Sequence, residues 1–406
     1  MNKNNDRRKF LKNTSLALSG ILLAPYALDA TANLKWSAID KKIRVGIIGT
    51  GARGTGHIKL IEKIDNLQVV ACSDIIPFRL TSALKDTANA KGYEDYRGLL
   101  EDKNVDAVII ATPYGMHGKM AINALEAGKH VFCEKTMVRG FEETQMVLDK
   151  VRNGDRIFMT GHQHRSSPLY QRVKTIIDSG QIGDLVAIDC QWNRNTDWRR
   201  PVPDKKWERM INWRMYREYS GGLVAELLSH QIDLANWYTN EHATRITGLG
   251  GIDYYKDGRE TFDNVHVVCK YNNGVNLTLS STTANAYDGF EIRILGKKAT
   301  ILLSREKGHI YSENFKPPTI GMVDGVSGAT RAATDSREGW EIPADGENAT
   351  LYALKEFAES IVKKQQPISN VETGALASKS VDIILDSLHS QETKFWNDYP
   401  EMKMNS

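Results

Sequence analysis

The 406-residue sequence has few cysteines and little net charge. Its four cysteines, Cys72, Cys133, Cys190 and Cys269, lie far apart and include no C-x-x-C pair. This spacing disfavours a disulfide framework or a metal site, and the apolar runs around three of them favour buried thiols. The net charge of +3 gives no indication of a nucleic-acid groove. We therefore expect neither a bound metal nor a nucleic-acid partner.

Apolar runs long enough to span a bilayer are absent after the N-terminal region. Residues 1–32 combine a basic start, a short apolar run at 16–24 and small residues at 30–32. The Arg7-Arg8 pair before Phe10 resembles a twin-arginine signal, with a basic disordered tail as the alternative. We expect residues 1–32 to be a signal peptide and the mature chain to begin near Asn33. The mature protein would then be periplasmic and soluble, with no membrane partner.

A glycine-rich loop marks the first domain, which we place at residues 40–162. The β-branched run 43–48 indicates a buried strand, and a helix is predicted from His57 to Ile64. A G-x-G-x-x-G between a strand and a helix is typical of dinucleotide binding, because the glycines allow a tight turn and close approach of the pyrophosphate. The helix N-terminus would offer its free N–H groups to the phosphates. The predicted cofactor contacts in this loop are Gly49, Gly51, Ala52, Arg53 and Gly54.

Asp74 follows a second apolar strand, twenty positions after the third glycine. A carboxylate there would accept hydrogen bonds from the adenosine ribose and would repel a 2′-phosphate. The sequence therefore favours NAD over NADP as the cofactor, although Arg79 lies near enough to weaken the preference.

Strands and helices continue to alternate as far as residue 160. This order predicts a doubly wound parallel sheet, a Rossmann domain, with its ligand at the carboxyl ends of the strands. We expect the polar residues at or just after these ends to contact the cofactor. They are Thr112, Tyr114, His117, Glu134, Lys135 and His162.

The stretch ATPYGMHGKMAINALEAGKHVFCEKTM, residues 111–137, resembles the glucose–fructose oxidoreductase, inositol dehydrogenase and rhizopine-catabolism (Gfo/Idh/MocA) family. The resemblance implies an oxidoreductase that acts on sugars or polyols and covers most of the chain after residue 40. One departure is Thr136, because the family has proline after the glutamate and lysine. The lysine itself, Lys135, is retained.

A second domain is predicted over residues 163–390. Strand patterns without intervening helices, and an Asn-Asn-Gly turn at 272–274, predict an α+β domain with an open, mainly antiparallel sheet. The resemblance implies that this is the substrate domain and that its sheet face forms homo-oligomers, dimers or tetramers. The helical segments 350–364 and 374–390 are expected to pack back on the first domain.

The stretch GGLVAELLSHQID, residues 221–233, places three polar residues at i, i+4 and i+7. On an α-helix, Glu226, His230 and Asp233 would share one face, and the carboxylate could set the tautomer of the imidazole. By spacing alone, a salt-bridged helix face with a satisfied histidine is the preferred explanation of the pattern. The family resemblance implies a catalytic helix, with His230 as the base, Glu226 beside it and Asp233 near the substrate.

The predicted chemistry removes a proton and a hydride from one carbinol. Lys135 would bind the substrate hydroxyl, and His230 would take its proton. His117 and His162 are secondary candidates, whereas His164 is expected to be a surface or loop residue.

Four tryptophans and six arginines are interleaved between residues 192 and 222. An ordinary packing loop would explain them, but aromatic faces flanked by arginine and aspartate also suit a saccharide. The candidate substrate residues in this segment are Asp197, Trp198, Arg199, Trp213, Arg214 and Tyr219.

Export combined with a dinucleotide predicts a cofactor that stays tightly bound, since no free NAD pool would replace it outside the cytoplasm. The first hypothesis is an oxidoreductase of carbohydrate or polyol hydroxyl groups that recycles its NAD internally. The alternative is a redox-neutral, NAD-dependent glycoside hydrolase, which oxidises its substrate transiently, eliminates, adds water and reduces again. A third possibility, an inactive binding protein, is disfavoured by the retained Lys135 and His230.

Overall fold

The computed structural model describes residues 42–313, 339–344, 346 and 348–400. The predicted signal segment, residues 1–32, lies outside the described residues. In the described part of the chain, no helix has the length and apolar character needed to cross a membrane. All four cysteines are buried and free, which confirms the prediction of buried thiols.

Six parallel strands form the first sheet, and helices connect them. The strands are β1 (Ile43–Ile48), β2 (Leu67–Ser73), β3 (Lys91–Tyr93), β4 (Ala107–Ile110), β5 (His130–Cys133) and β6 (Phe158–Thr160). The helices are α1 (Ala52–Ile61), α2 (Pro77–Lys85), α3 (Tyr96–Glu101), α4 (His117–Glu126) and α5 (Phe141–Arg152). The strand order β3-β2-β1-β4-β5-β6 is that of a Rossmann fold, with its topological switch between β1 and β4. The predicted parallel, doubly wound sheet is therefore confirmed.

The central strands of this sheet are buried on both faces, as near-continuous β-branched runs predict for a parallel sheet. The predicted start of the first helix at His57 is wrong, because α1 begins at Ala52. The third glycine, Gly54, lies within the first turn of α1. The helix therefore begins directly at the glycine loop and brings its free N–H groups to that loop.

Nine strands form the second sheet, in the order β14-β13-β12-β11-β7-β10-β9-β8-β15. Their bounds are β7 (Leu185–Asn195), β8 (Ala243–Gly251), β9 (Asn264–Tyr271), β10 (Asn276–Thr282), β11 (Ala284–Gly296), β12 (Ala299–Leu303), β13 (Gly308–Ser312), β14 (Gly339–Glu341) and β15 (Lys394–Phe395). All neighbours are antiparallel except the pair β7 and β10. This confirms the predicted mainly antiparallel sheet and the turn at 272–274, where Gly274 has a φ of +89°.

Helices cover one face of the second sheet and also reach the first domain. The remaining helices are α6 (Pro168–Asp178), α7 (Glu208–Ile211), α8 (Ser229–Thr239), α9 (Ala349–Lys363) and α10 (Val371–Ser390). Side chains of α6, α8 and α10 form one core with the second sheet. Helix α9 packs on the first sheet, where the Phe357 ring lies 5.7 Å from that of Phe132. The outer face of the second sheet leaves Leu249 and Val268 exposed.

Candidate active site

A cleft of about 1030 Å³ opens at the carboxyl ends of the first-sheet strands and extends to the second domain. Most predicted cofactor residues line it, together with residues of the second sheet and its loops. The predicted residues that line the cleft are Gly49, Gly51, Ala52, Arg53, Asp74, Thr112, Tyr114, His117, Glu134, Lys135, Trp213, Arg214, Tyr219, Glu226 and His230. The fold thus brings the glycine loop, Lys135 and His230 into one space.

The glycine loop has the shape that a pyrophosphate requires. Gly49 has a φ of +90°, and a Cβ on it would lie 2.8 Å from the carbonyl oxygen of Ala111. A Cβ on Gly54 would lie 1.9 Å from the carbonyl oxygen of Gly49, so Gly54 packs the helix on the loop instead of lining the cleft. No side chain caps α1 at Gly51. The first N–H groups of α1 are therefore available to an anion, and the loop fits a dinucleotide.

Asp74 is buried at the end of β2, with both carboxylate oxygens in use. One oxygen accepts hydrogen bonds from the backbone N–H of Thr50 (2.8 Å) and its hydroxyl (3.1 Å), and the other from the N–H of Ile76 (2.9 Å). Asp74 thus fixes the loop while lining the cleft. Arg79, on α2, lies beside the loop at Gly51 and also lines the cleft.

Glu134, at the end of β5, binds the side chains of Arg53 and His57. One of its oxygens accepts from the Nε of Arg53 at 2.6 Å and lies 2.8 Å from the Nε2 of His57. Burial opposes ionisation of Glu134, but Arg53 and His57 outweigh it and lower the pKa of the carboxyl. Glu134 therefore remains an anion and holds Arg53 at the glycine loop.

Lys135 projects towards a π-helical turn, Val224–Leu228, that precedes α8. Its Nζ donates to the carbonyl oxygen of Glu226 at 2.8 Å, and the hydroxyl of Thr136 donates to the carbonyl of Ala225 at 3.0 Å. Both carbonyls belong to the π turn, in which backbone bonding from i to i−5 replaces the regular i to i−4 pattern. Burial lowers the pKa of Lys135, and Glu226 and Glu134 partly restore it. The Lys135–Thr136 peptide bond is cis.

The predicted pairing of Glu226 with His230 is wrong. The carboxylate of Glu226 accepts from the Nε of Arg214 at 2.9 Å, while the Nδ1 of His230 has no hydrogen-bond partner. The reason is the π turn, whose extra residue rotates Glu226 away from the position that α-helical spacing would give it. Burial lowers the pKa of His230 well below 6.5, and His164 and Lys135 add to this effect. His230 is therefore a neutral base at neutral pH.

His230 belongs to a buried histidine cluster, defined as His162, His164 and His230. The His230 ring lies 5.7 Å from that of His162 and 5.1 Å from that of His164. The expectation of a surface position for His164 is wrong, since its ring packs on Tyr170 and is 5% exposed. His162, predicted to contact the cofactor, lies behind His230 and does not line the cleft. Both nitrogens of His162 lack a hydrogen-bond partner.

Asp233 does not face the substrate space. It is 1% exposed, and its two oxygens accept from the Nε of Arg165 at 3.0 and 2.8 Å. His230 and Asp233 lie on the same regular helix, α8, but Asp233 meets Arg165 on the side away from the cleft, and no local pattern marks that partner. This ion pair is a buried structural contact.

His117 and Tyr114 bond to backbone carbonyl groups of the loops that form the site. The Nδ1 and Nε2 of His117 lie 2.9 and 3.0 Å from the carbonyl oxygens of Thr136 and Thr112. Burial lowers the pKa of His117, and a neutral ring donates to only one of these carbonyls. The hydroxyl of Tyr114 donates to the carbonyl of Val138 at 3.0 Å. These side chains join the loops after β4 and β5.

The aromatic and arginine-rich segment divides into two groups. Trp213, Arg214 and Tyr219 line the cleft, whereas Asp197, Trp198 and Arg199 do not. Arg199 instead pairs with Asp257 and Glu208. The carbonyl of Asp197 accepts from Arg259, and Trp198 packs against the core of the second domain. A loop needs such anchors, so composition alone could not separate packing residues from lining residues.

Three residues at the substrate end of the cleft were not among the predicted substrate contacts, although two of them belong to the aromatic and arginine-rich segment. Trp192 and Arg194 lie at the end of β7, and Arg305 lies in the β12–β13 turn. The i, i+2 spacing of Trp192 and Arg194 places them on one face of a strand and could have indicated their common direction. Arg305 is more than a hundred residues away, and no local pattern marks it.

Both domains match known families. Residues 43–162 match the family described as "Oxidoreductase family, NAD-binding Rossmann fold", and residues 170–302 match the "GFO/IDH/MocA C-terminal domain". The chain is 25% identical to myo-inositol 2-dehydrogenase of Thermotoga maritima, over 82% of this chain and 93% of that protein. It is 34% identical to inositol 2-dehydrogenase of Salmonella typhimurium, over 49% of this chain and 55% of that protein.

Solved structures share the fold. Levoglucosan dehydrogenase in complex with NADH and L-sorbose has a TM-score of 0.73 at 19% identity, covering 87% of this chain and 99% of that one. The two matched families together span more than half of the sequence. The chain belongs to the Gfo/Idh/MocA family of NAD-binding oxidoreductases.

Proposed function

We propose that this protein is an NAD-dependent dehydrogenase that oxidises a secondary hydroxyl of a sugar or polyol. The observation that carries the proposal is the meeting of Lys135 and His230 in the cleft that also holds the glycine loop. The similarity to proteins named inositol 2-dehydrogenases supports a polyhydroxylated substrate.

Lys135 and His230 have different roles, which follow from their charge and position. NAD held at the glycine loop, by Gly49, Gly51 and the first N–H groups of α1, would supply the acceptor for the hydride of the carbinol carbon. The Nζ of Lys135, held by the carbonyl of Glu226, donates a hydrogen bond to the substrate oxygen and stabilises charge that develops on it. His230, kept neutral by burial, accepts the hydroxyl proton. The active form of His230 persists below pH 6.5, so the acid limb of the kcat profile should lie below that value.

The fold also supports a preference for NAD. The buried carboxylate of Asp74 sits where the adenosine ribose is expected, and it would repel a 2′-phosphate. Arg79 beside the same loop acts in the opposite direction. NAD is therefore the proposed cofactor, with NADP as the weaker alternative.

Residues 1–32 support export by the twin-arginine route to the periplasm, and with it a cofactor that is loaded before export and stays tightly bound. Exposed apolar residues on the outer face of the second sheet, Leu249, Val268 and Phe395, support a homo-oligomer formed through that face.

The function is tested by measuring NADH absorbance with a panel of sugars and polyols. Lys135→Ala and His230→Ala should each abolish NADH formation without loss of NAD binding. Full activity in both variants would refute the assigned roles. Denaturing protein purified from its native compartment should release NAD(H), and release of nitrophenol from nitrophenyl glycosides would favour the glycosidase instead.

A further inference from the structure

The substrate end of the cleft carries more positive charge than its own acidic groups balance. Arg214 is paired with Glu226 at 2.9 Å. Arg194 and Arg305 line the same region, and within the described ranges neither forms an ion pair with a carboxylate. The Nε of Arg194 is buried and has no hydrogen-bond partner. A buried guanidinium donor without an acceptor is costly unless a ligand supplies one.

The two arginines flank one aromatic ring beside the proposed base. The guanidinium carbons of Arg194 and Arg305 lie 5.8 and 5.2 Å from the ring centroid of Trp192. The Trp192 ring itself lies 5.7 Å from that of His230. Both guanidinium groups and the proposed base, His230, therefore pack around the same ring, that of Trp192.

The hairpin that carries Arg305 is held by a contact with Tyr170 of α6. The hydroxyl of Tyr170 lies 3.4 and 3.3 Å from the carbonyl oxygens of Ser304 and Arg305. The side chain of Arg305 is exposed at the cleft, but its backbone is held by the second-domain core. This arrangement holds the backbone from which the Arg305 side chain extends into the cleft.

Like charges crowd this region when no anion is present. Burial lowers the pKa of Arg194, and the nearby Arg305 and Arg214 lower it further, against a smaller opposing effect of Glu226. The phosphates of the cofactor belong at the glycine loop, on the first domain, and so do not neutralise these groups. A substrate anion would relieve the repulsion and satisfy the free donors of Arg194.

We propose that the substrate is an anionic sugar, whose carboxylate or phosphate group is bound by Arg194 and Arg305. This inference rests on the proposed oxidation of a sugar hydroxyl at Lys135 and His230. It narrows the substrate class from neutral polyols to sugar acids and sugar phosphates.

The test compares matched ligands on the full-length protein loaded with NAD. Calorimetry gives the affinities of D-glucose, D-glucuronate and D-glucose 6-phosphate, and of the corresponding galactose set, and NADH absorbance gives their oxidation. At least one anionic member should bind about tenfold or more tightly than its neutral counterpart, because hydrogen bonds to charged groups are the stronger ones. Raising the salt from about 0.05 to about 0.5 M should weaken the binding of the anion only.

Arg194→Gln and Arg305→Gln should each remove most of the preference for the anion. Arg305 is exposed, so its variant should fold normally even if Arg194→Gln does not. Arg172→Gln, an exposed position on α6 away from the cleft, is the matched control and should retain the full preference.

The outcomes separate this inference from the proposed function. Oxidation of neutral sugars with no preference for the anion, or with a preference that both variants retain, overturns the inference alone. Arginine-dependent binding of the anion without NADH formation supports the inference and refutes the proposed oxidation. The preferred member, carboxylate or phosphate, identifies the group that the arginines bind.

Discussion

Two buried histidines should make the protein sensitive to mild acid. Burial lowers the pKa of His162 to about 4 and that of His164 to about 3. In the unfolded chain both would have the ordinary value of about 6.5. The unfolded state therefore binds more protons below pH 6.5, and stability falls as the pH decreases through that value towards the folded-state pKa values.

The magnitude follows from these values. Between pH 7 and pH 5 each histidine should lower the free energy of unfolding by about 2 kcal/mol, and the pair by about 4 kcal/mol. The free energy of unfolding of a native protein is typically only about 5–15 kcal/mol, so a change of about 4 kcal/mol is easily measured.

Urea unfolding at pH 7 and pH 5, on wild type and on His162→Gln/His164→Gln, measures this dependence. The double variant should be less stable at pH 7 but should lose about 4 kcal/mol less between the two pH values. His266→Gln, on the exposed face of β9, is the control and should keep the wild-type dependence. Equal losses in wild type and the double variant would refute the assignment of acid sensitivity to these buried rings.

Three further variants test the cofactor loop, a buried ion pair and the choice of cofactor. Gly54→Ala places a Cβ 1.9 Å from a loop carbonyl oxygen and should abolish NAD binding in calorimetry, whereas Gly56→Ala, with open space around it, should bind normally. Arg165→Met leaves Asp233 buried without its partner and should cost about 3–5 kcal/mol in urea unfolding; a loss below about 1 kcal/mol would contradict the pair's role. Asp74→Ala should lower kcat/KM for NAD more than for NADP, and an unchanged ratio would disprove its discriminating role.

The sequence predicted the parts of the fold that depend on local pattern. The β-branched run 43–48, the glycine loop and the alternation of strands and helices led directly to the parallel sheet. Short elements such as β3 and α3 went unpredicted, because three to six residues carry too little periodicity. Strands β12 to β14 were missed for the same reason, because they have only three to five residues each.

The site was predictable where it follows strand ends, and unpredictable where the helix departs from ideal geometry. Lys135 and the glycine loop line the cleft as their strand-end positions indicated. Glu226 does not pair with His230, because a π-helical turn is invisible to a rule based on 3.6 residues per turn. Asp233 pairs instead with Arg165, a partner that only the tertiary fold supplies. Arg305 reaches the cleft only through the topology of the second sheet.

The helices after residue 348 make the two domains mutually dependent. Helix α9 fills the core beneath the first sheet, and α10 contributes Val371 and Ala375 to one core and Val381 and Ile384 to another. In a fragment that ended at residue 162, α9 would be missing, and the face of the first sheet that carries Phe132 would be exposed to solvent. The nucleotide-binding domain therefore does not form a complete core by itself. In a chimaera with a relative, it can be exchanged only together with the C-terminal helices α9 and α10.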